Sequence, residues 1–141
     1  MNWKEEATQR LMDYKPMRTS VTSLRRELKR LEMEATALRS GTVQMGGSGG
    51  GSREDRQLNN LIRRQELDAA LEHAVLWVKT TEYALSCLDN HEQELLDRIY
   101  IRGDWGNVTQ LAQDLGMERS TVYRRRDEAL RKFTVAMYGK C

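Results

Sequence analysis

The stretch NVTQLAQDLGMERSTVYRRRDEALRKF, residues 107–133, reads as helix, tight turn, helix. Val108, Leu111, Ala112 and Leu115 recur at helical spacing on one face. Gly116 ends that helix, because glycine enters a left-handed turn without steric cost. A second helix follows Met117 and Glu118, with Ser120 and Thr121 in its first turn. Val122, Ala129, Leu130 and Phe133 are expected to face inward from it. Arg119, Ser120, Tyr123, Arg124 and Arg126 are expected to face outward.

Two details make this more than a pair of packing helices. Ala112, four residues before the turn glycine, is small enough to let two helices cross closely. Val122, six residues after it, pins the second helix to the first. Six basic residues (Arg119, Arg124, Arg125, Arg126, Arg131, Lys132) then crowd residues 119–132 against two acidic ones, Asp127 and Glu128. That is the pattern of a DNA-binding helix-turn-helix, whose second helix lies in the major groove. Phosphate neutralisation and guanine readout both require such a basic face.

Working outward, His91 to Ile101 is expected to form the preceding helix, with Leu95, Leu96, Ile99 and Tyr100 on its buried side. Asp89 and Asn90 close the helix before it and cap this one. Between them and the quoted stretch lies a turn, RGDWG, in which Trp105 is expected to pack. The tail continues the last helix through Val135, Ala136 and Met137 and ends at Gly139.

The rest of the chain is also expected to be helical. Among its 141 residues, apolar types make up 39% and charged types 31%, a mix that suits elongated helices better than a thick core. Asn2 to Asp13 carries Trp3, Ala7 and Leu11 four apart, and Pro16 is expected to break the chain near residues 14–19. From Thr19 or Ser20 a helix runs to about Arg39. Its residues Val21, Leu24, Leu28, Leu31, Ala35 and Leu38 keep a heptad seam, with Arg25, Arg26, Lys29 and Arg30 standing off it. Residues 41–52 are a glycine- and serine-rich flexible linker. Residues 53–88 form the longest helix, with Asp55 as its expected cap. Its seam runs Leu67, Leu71, Ala74, Val78, Thr81, Leu85, Leu88. The expected fold is all-α. Segment 1–40 supplies N-terminal helices, and the long helix pairs with 19–39 as a coiled-coil-like hairpin or with a second subunit. Residues 89–138 form the helix-turn-helix domain.

Charge divides along the chain: residues 1–40 carry +3, residues 53–100 carry −4 and residues 107–141 carry +3. Cys87 and Cys141 are too few for a disulfide framework or a metal cluster, which favours a reducing compartment. The polar start and the lack of a long apolar run argue against secretion and membrane spanning. His73 has no companion ligands at metal spacing. No nucleophile–base pair, paired carboxylates or phosphate loop appears, so neither an enzyme nor a cofactor is expected.

The run Leu88 through Phe133 resembles the fourth conserved region of bacterial sigma factors. Leu88, Glu92, Leu95 and Leu96 match its Leu-x-x-x-Glu-x-x-Leu-Leu element. Ala112, Leu115 and Gly116 match its Ala-x-x-Leu-Gly helix, and Arg119, Ser120, Thr121 and Val122 its Arg-Ser-Thr-Val helix. The whole layout is similar to small phage transcriptional activators of the RinA and ArpU type. Arg125 departs from the pattern, since an apolar residue usually stands there. The resemblance implies a sequence-specific transcriptional regulator, an activator of phage late genes working with bacterial RNA polymerase in the host cytoplasm. Arg119, Tyr123 and Arg124 would then read base edges, Ser120 and Thr121 would meet phosphates, and Arg126, Arg131 and Lys132 would neutralise the backbone of promoter duplex. A homodimer or higher oligomer would supply the missing interface area. Two alternatives stay open: a helical protein that binds polymerase without reading bases, and a DNA-recognition subunit of a phage packaging complex.

Overall fold

The computed structural model describes residues 2–41, 52–103 and 108–139. Residues 42–51 of the expected linker at 41–52, together with Trp105 and Asn107, lie outside them. All regular structure among the described residues is helical: α1 (Trp3–Ser40), α2 (Arg53–Ser86), α3 (Asn90–Leu96) continued by a π turn (Asp97–Ile101), α4 (Val108–Leu115) and α5 (Arg119–Met137). The all-α expectation holds.

Helix starts follow side-chain chemistry. The Asn2 side chain accepts the Glu5 amide at 2.9 Å, and the Glu5 carboxylate accepts the Asn2 amide at 3.4 Å. At α2 the cap is Ser52 rather than Asp55. The Ser52 hydroxyl accepts the Asp55 amide at 3.2 Å and the Asp55 carboxylate accepts the Ser52 amide at 3.3 Å, a reciprocal capping box. Asp55 is thus the third residue of the box.

The expected break at Pro16 does not occur. One helix runs from Trp3 to Ser40 with the proline inside it. Proline removes one backbone donor and crowds the preceding turn, at a cost of about 3 kcal/mol. Leu11 and Tyr14 before it and Val21 after it are buried, and that packing outweighs the lost bond. Thr19 and Ser20 are consequently mid-helix residues rather than caps.

The chain forms two compact units, Met1–Met17 with Trp77–Cys141, and Arg18–Leu76. The second unit is an antiparallel hairpin of α1 and α2. Leu28, Leu31 and Leu67 are buried together, with Leu24 and Leu71 against them. Three contacts fix direction. The Arg53 guanidinium donates to the Leu38 carbonyl and, at 3.0 Å, to that of Arg39. The buried Asn60 side chain donates to the Leu31 carbonyl at 3.0 Å. As residue numbers rise on α2, those of its partners fall on α1.

The first unit has two apolar clusters. Ala7 and Leu11 of α1 pack with Ala84, Leu88, Leu96, Ala129, Leu130, Phe133 and Ala136. The first turns of α1 therefore complete the core beneath α5. Beside them, Arg10 donates to the Thr81 hydroxyl at 2.7 Å and to the Trp77 carbonyl at 3.0 Å, with its guanidinium 4.1 Å from the Trp77 ring centre. Thr81, a seam position, is fully buried because this pairing satisfies its hydroxyl. Cys87 is disulfide-bonded, a single bridge rather than a framework. No described helix is long and apolar enough to cross a membrane.

Candidate nucleic-acid interface

The π turn, α4 and α5 meet through Leu95, Ile99, Leu111, Ala112 and Val122, with Val108, Leu115 and Met117 partly buried against them. Ala112 and Val122, the two residues singled out for close crossing, sit in this cluster. Val122, Ala129, Leu130 and Phe133 are all fully buried, as their spacing predicted.

The turn between α4 and α5 is held by backbone geometry. Gly116 has φ +67°, in the left-handed region. Its amide donates to the Gln113 carbonyl at 3.2 Å, and the Met117 amide donates to the Ala112 carbonyl at 2.9 Å. These two bonds form a Schellman motif, which satisfies carbonyls that the end of α4 would otherwise leave open. Arg98 of the π turn braces the same helix through Asp114 at 2.8 Å. Hydrogen bonds from Gln110 first, and then from Arg98, hold the Asp114 carboxyl below its ordinary range.

α5 opens at Glu118, whose extended backbone starts the helix but whose side chain makes no capping bond. The first amides of α5 thus lack a side-chain acceptor from their own cap. Arg119 and Ser120 are exposed there, and Thr121 is half-buried. Beyond this turn the helix divides. At about 100° per residue, Ser120, Arg124 and Arg131 fall within about 40° of one another, and all three are exposed. Val122, Ala129 and Phe133 occupy the opposite side.

The eight residues expected to touch DNA do not stand alike. Arg119, Arg124 and Arg131 are exposed and make no ion pair with any described residue. Tyr123 is half-buried, with the Arg126 guanidinium 5.3 Å from its ring centre. The Arg126 side chain is 16% exposed and bonds Asp127 at 3.0 Å, which also takes Lys4 at 2.9 Å. Partial burial by itself would push the Asp127 carboxyl up, but hydrogen bonds from Lys4 and Arg126 outweigh it and hold the carboxyl low. Lys132 is exposed yet paired with Glu92 at 2.9 Å, which raises its pKa through that hydrogen bond and the Glu92 charge. Lys132, through Glu92, and Asp127, through Lys4, therefore tie α5 to α3 and α1, while Arg126 is engaged by its own neighbour Asp127.

Arg125 was absent from the outward set, and it is exposed and likewise free of ion pairs among the described residues. Its helical angle, on the flank of the Arg124–Arg131 line, was the signal that could have placed it. Four arginines (Arg119, Arg124, Arg125, Arg131) thus offer unneutralised guanidinium groups from one helix. Planar guanidinium groups suit both phosphate and the guanine edge. Among the described residues there is no group of His, Cys, Asp or Glu that could hold a metal ion.

No family model matches the chain, and no curated protein or solved structure matches it either.

Proposed function

We propose that the chain is a sequence-specific DNA-binding regulator of transcription, with α5 as its recognition helix. One observation carries this reading. A Schellman-ended α4 is locked to α5 through Ala112 and Val122. Opposite Val122, α5 exposes Arg124 and Arg131, with exposed Arg119 and Arg125 on its two flanks, and none of the four pairs with an acidic residue among the described residues. A helix held this way can enter the major groove with its first turns against base edges. Arg119 and Arg124 would take the bidentate guanine contacts, and Arg125 and Arg131 the flanking phosphates. Ser120, Thr121 and the open amides of the first turn suit a phosphate at the helix N-terminus.

The resemblance of Leu88–Phe133 to sigma region four supports a finer reading: an activator of phage late genes that works beside bacterial RNA polymerase on promoter DNA in the host cytoplasm. One such helix buries little duplex surface, so a second copy or the polymerase would supply the remaining affinity.

The test is a gel-shift titration on DNA selected by the protein from a random pool. Arg124→Ala and Arg119→Ala should each cost about 1–3 kcal/mol on the selected site and relax base preference at one position. Unchanged affinity and preference in both variants would reject α5 as the reading element.

A further inference from the structure

We infer that the exposed face of α1 carrying Arg18, Arg25, Arg26 and Lys29 is a second contact surface for the phosphate backbone of duplex DNA. The inference rests on the DNA-binding reading above and extends it to the hairpin unit.

All four cations are exposed, as are Thr19, Thr22 and Ser23 among them. At about 100° per residue they fall within about 100° of arc, a single stripe. At about 1.5 Å per residue the stripe is about 16 Å long. A duplex presents one phosphate charge per about 1.7 Å of its axis, so about ten phosphates lie within that length. Residues 18–26 contain no acidic side chain. Arg25, Arg26 and Lys29 make no ion pair with any described residue. Their neighbour Arg30 behaves differently: it is held by Glu27 at 2.6 Å and Glu34 at 3.3 Å. The helix thus neutralises Arg30 internally and leaves Arg25, Arg26 and Lys29 without an acidic partner among the described residues.

The composition of the stripe selects among polyanions. A membrane-surface helix needs large apolar residues beside its cations, and here the neighbours on the stripe are hydroxyl residues. A single-strand binder needs aromatic platforms for the bases, and the stripe has none. Cations interleaved with short hydroxyl side chains are what double-stranded backbone takes. The stripe carries no base-reading geometry, so its contribution is independent of sequence.

The experiment measures affinity by fluorescence anisotropy for a selected duplex and a scrambled duplex, from about 50 to about 200 mM salt. The full chain is compared with the triple variant Arg25→Ala/Arg26→Ala/Lys29→Ala and with Arg119→Ala/Arg124→Ala. Losing three phosphate contacts should lower the slope of log affinity against log salt by about 2.7, so the loss of affinity across that salt range shrinks by about 40-fold. The effect should be equal on both duplexes. An unchanged slope in a triple variant with wild-type helicity overturns the inference, and so does a defect seen only in binding an acidic protein partner. Failure of the α5 reading has a different signature: Arg119→Ala/Arg124→Ala would leave selected and scrambled DNA as well discriminated as before, whatever the triple variant does.

Discussion

Replacing Gly116 probes the turn that aims α5. At φ +67° an L-residue bears left-handed strain of about 1–2 kcal/mol. A β-carbon built there meets nothing within 4 Å, so no clash adds to the strain. Alanine also stiffens the unfolded chain, which returns about 0.4–1 kcal/mol. Gly116→Ala should therefore destabilise by about 1 kcal/mol net. The unit containing it has about 80 residues, for which about 1 kcal/mol lowers Tm by about 4–8 °C. Gly116→Asn should lose less than half as much, because asparagine tolerates the left-handed region. The assay is thermal unfolding followed by circular dichroism. Binding of the selected duplex is measured well below Tm, where the alanine variant should still bind. An alanine variant as stable as wild type, or an asparagine variant more damaged than alanine, would show that the strain reasoning at Gly116 is wrong.

Three further outcomes follow from individual contacts. Asn60 is 5% exposed and holds the hairpin by donating to the Leu31 carbonyl and accepting from Arg64. Asn60→Ala should lower stability by about 1 kcal/mol, seen as a lower urea midpoint at unchanged m-value. The backbone amide of Glu92, donating at 2.8 Å, is the main cause that holds the Asp89 carboxyl below its ordinary value, with the Lys132 charge helping. Its stabilisation is present above the unfolded-state value of about 4 and fades as pH falls through the lower folded-state value. In Asp89→Asn the acid limb of the stability–pH curve should accordingly be flatter. Finally, Arg131→Ala should reduce the salt slope of DNA binding by about 0.9, whereas Lys132→Ala, already paired with Glu92, should change it far less.

Much of the architecture is legible in the sequence because it repeats locally. The heptad positions from Val21 to Leu38 and from Leu67 to Leu88 announce two long helices, and Gly116 between two apolar-faced segments announces the turn. What escapes is set by distant partners. Pro16 forbids a helix by local rules, yet flanking burial carries the helix through it. Ala7 and Leu11 show an apolar face, but nothing in their neighbourhood says that its partners are Leu130 and Phe133, more than a hundred residues away. The candidate interface divides in the same way. Charge density marks α5 as basic, while the pairing of Lys132 with Glu92, and of Lys4 with Asp127 beside Arg126, depends on which helices pack against it. A count of six cations on that helix thus resolves into four with no acidic partner among the described residues and two that are paired.

The central claim, that α5 reads base edges through Arg119 and Arg124, is tested most directly by selecting bound duplexes from random DNA with wild type and with Arg119→Ala/Arg124→Ala. The wild-type chain should enrich a defined motif containing guanine. The double variant should lose preference at those guanines while keeping salt-dependent binding to unrelated duplex. Enrichment of the same motif by both proteins, or of none by wild type, would contradict it.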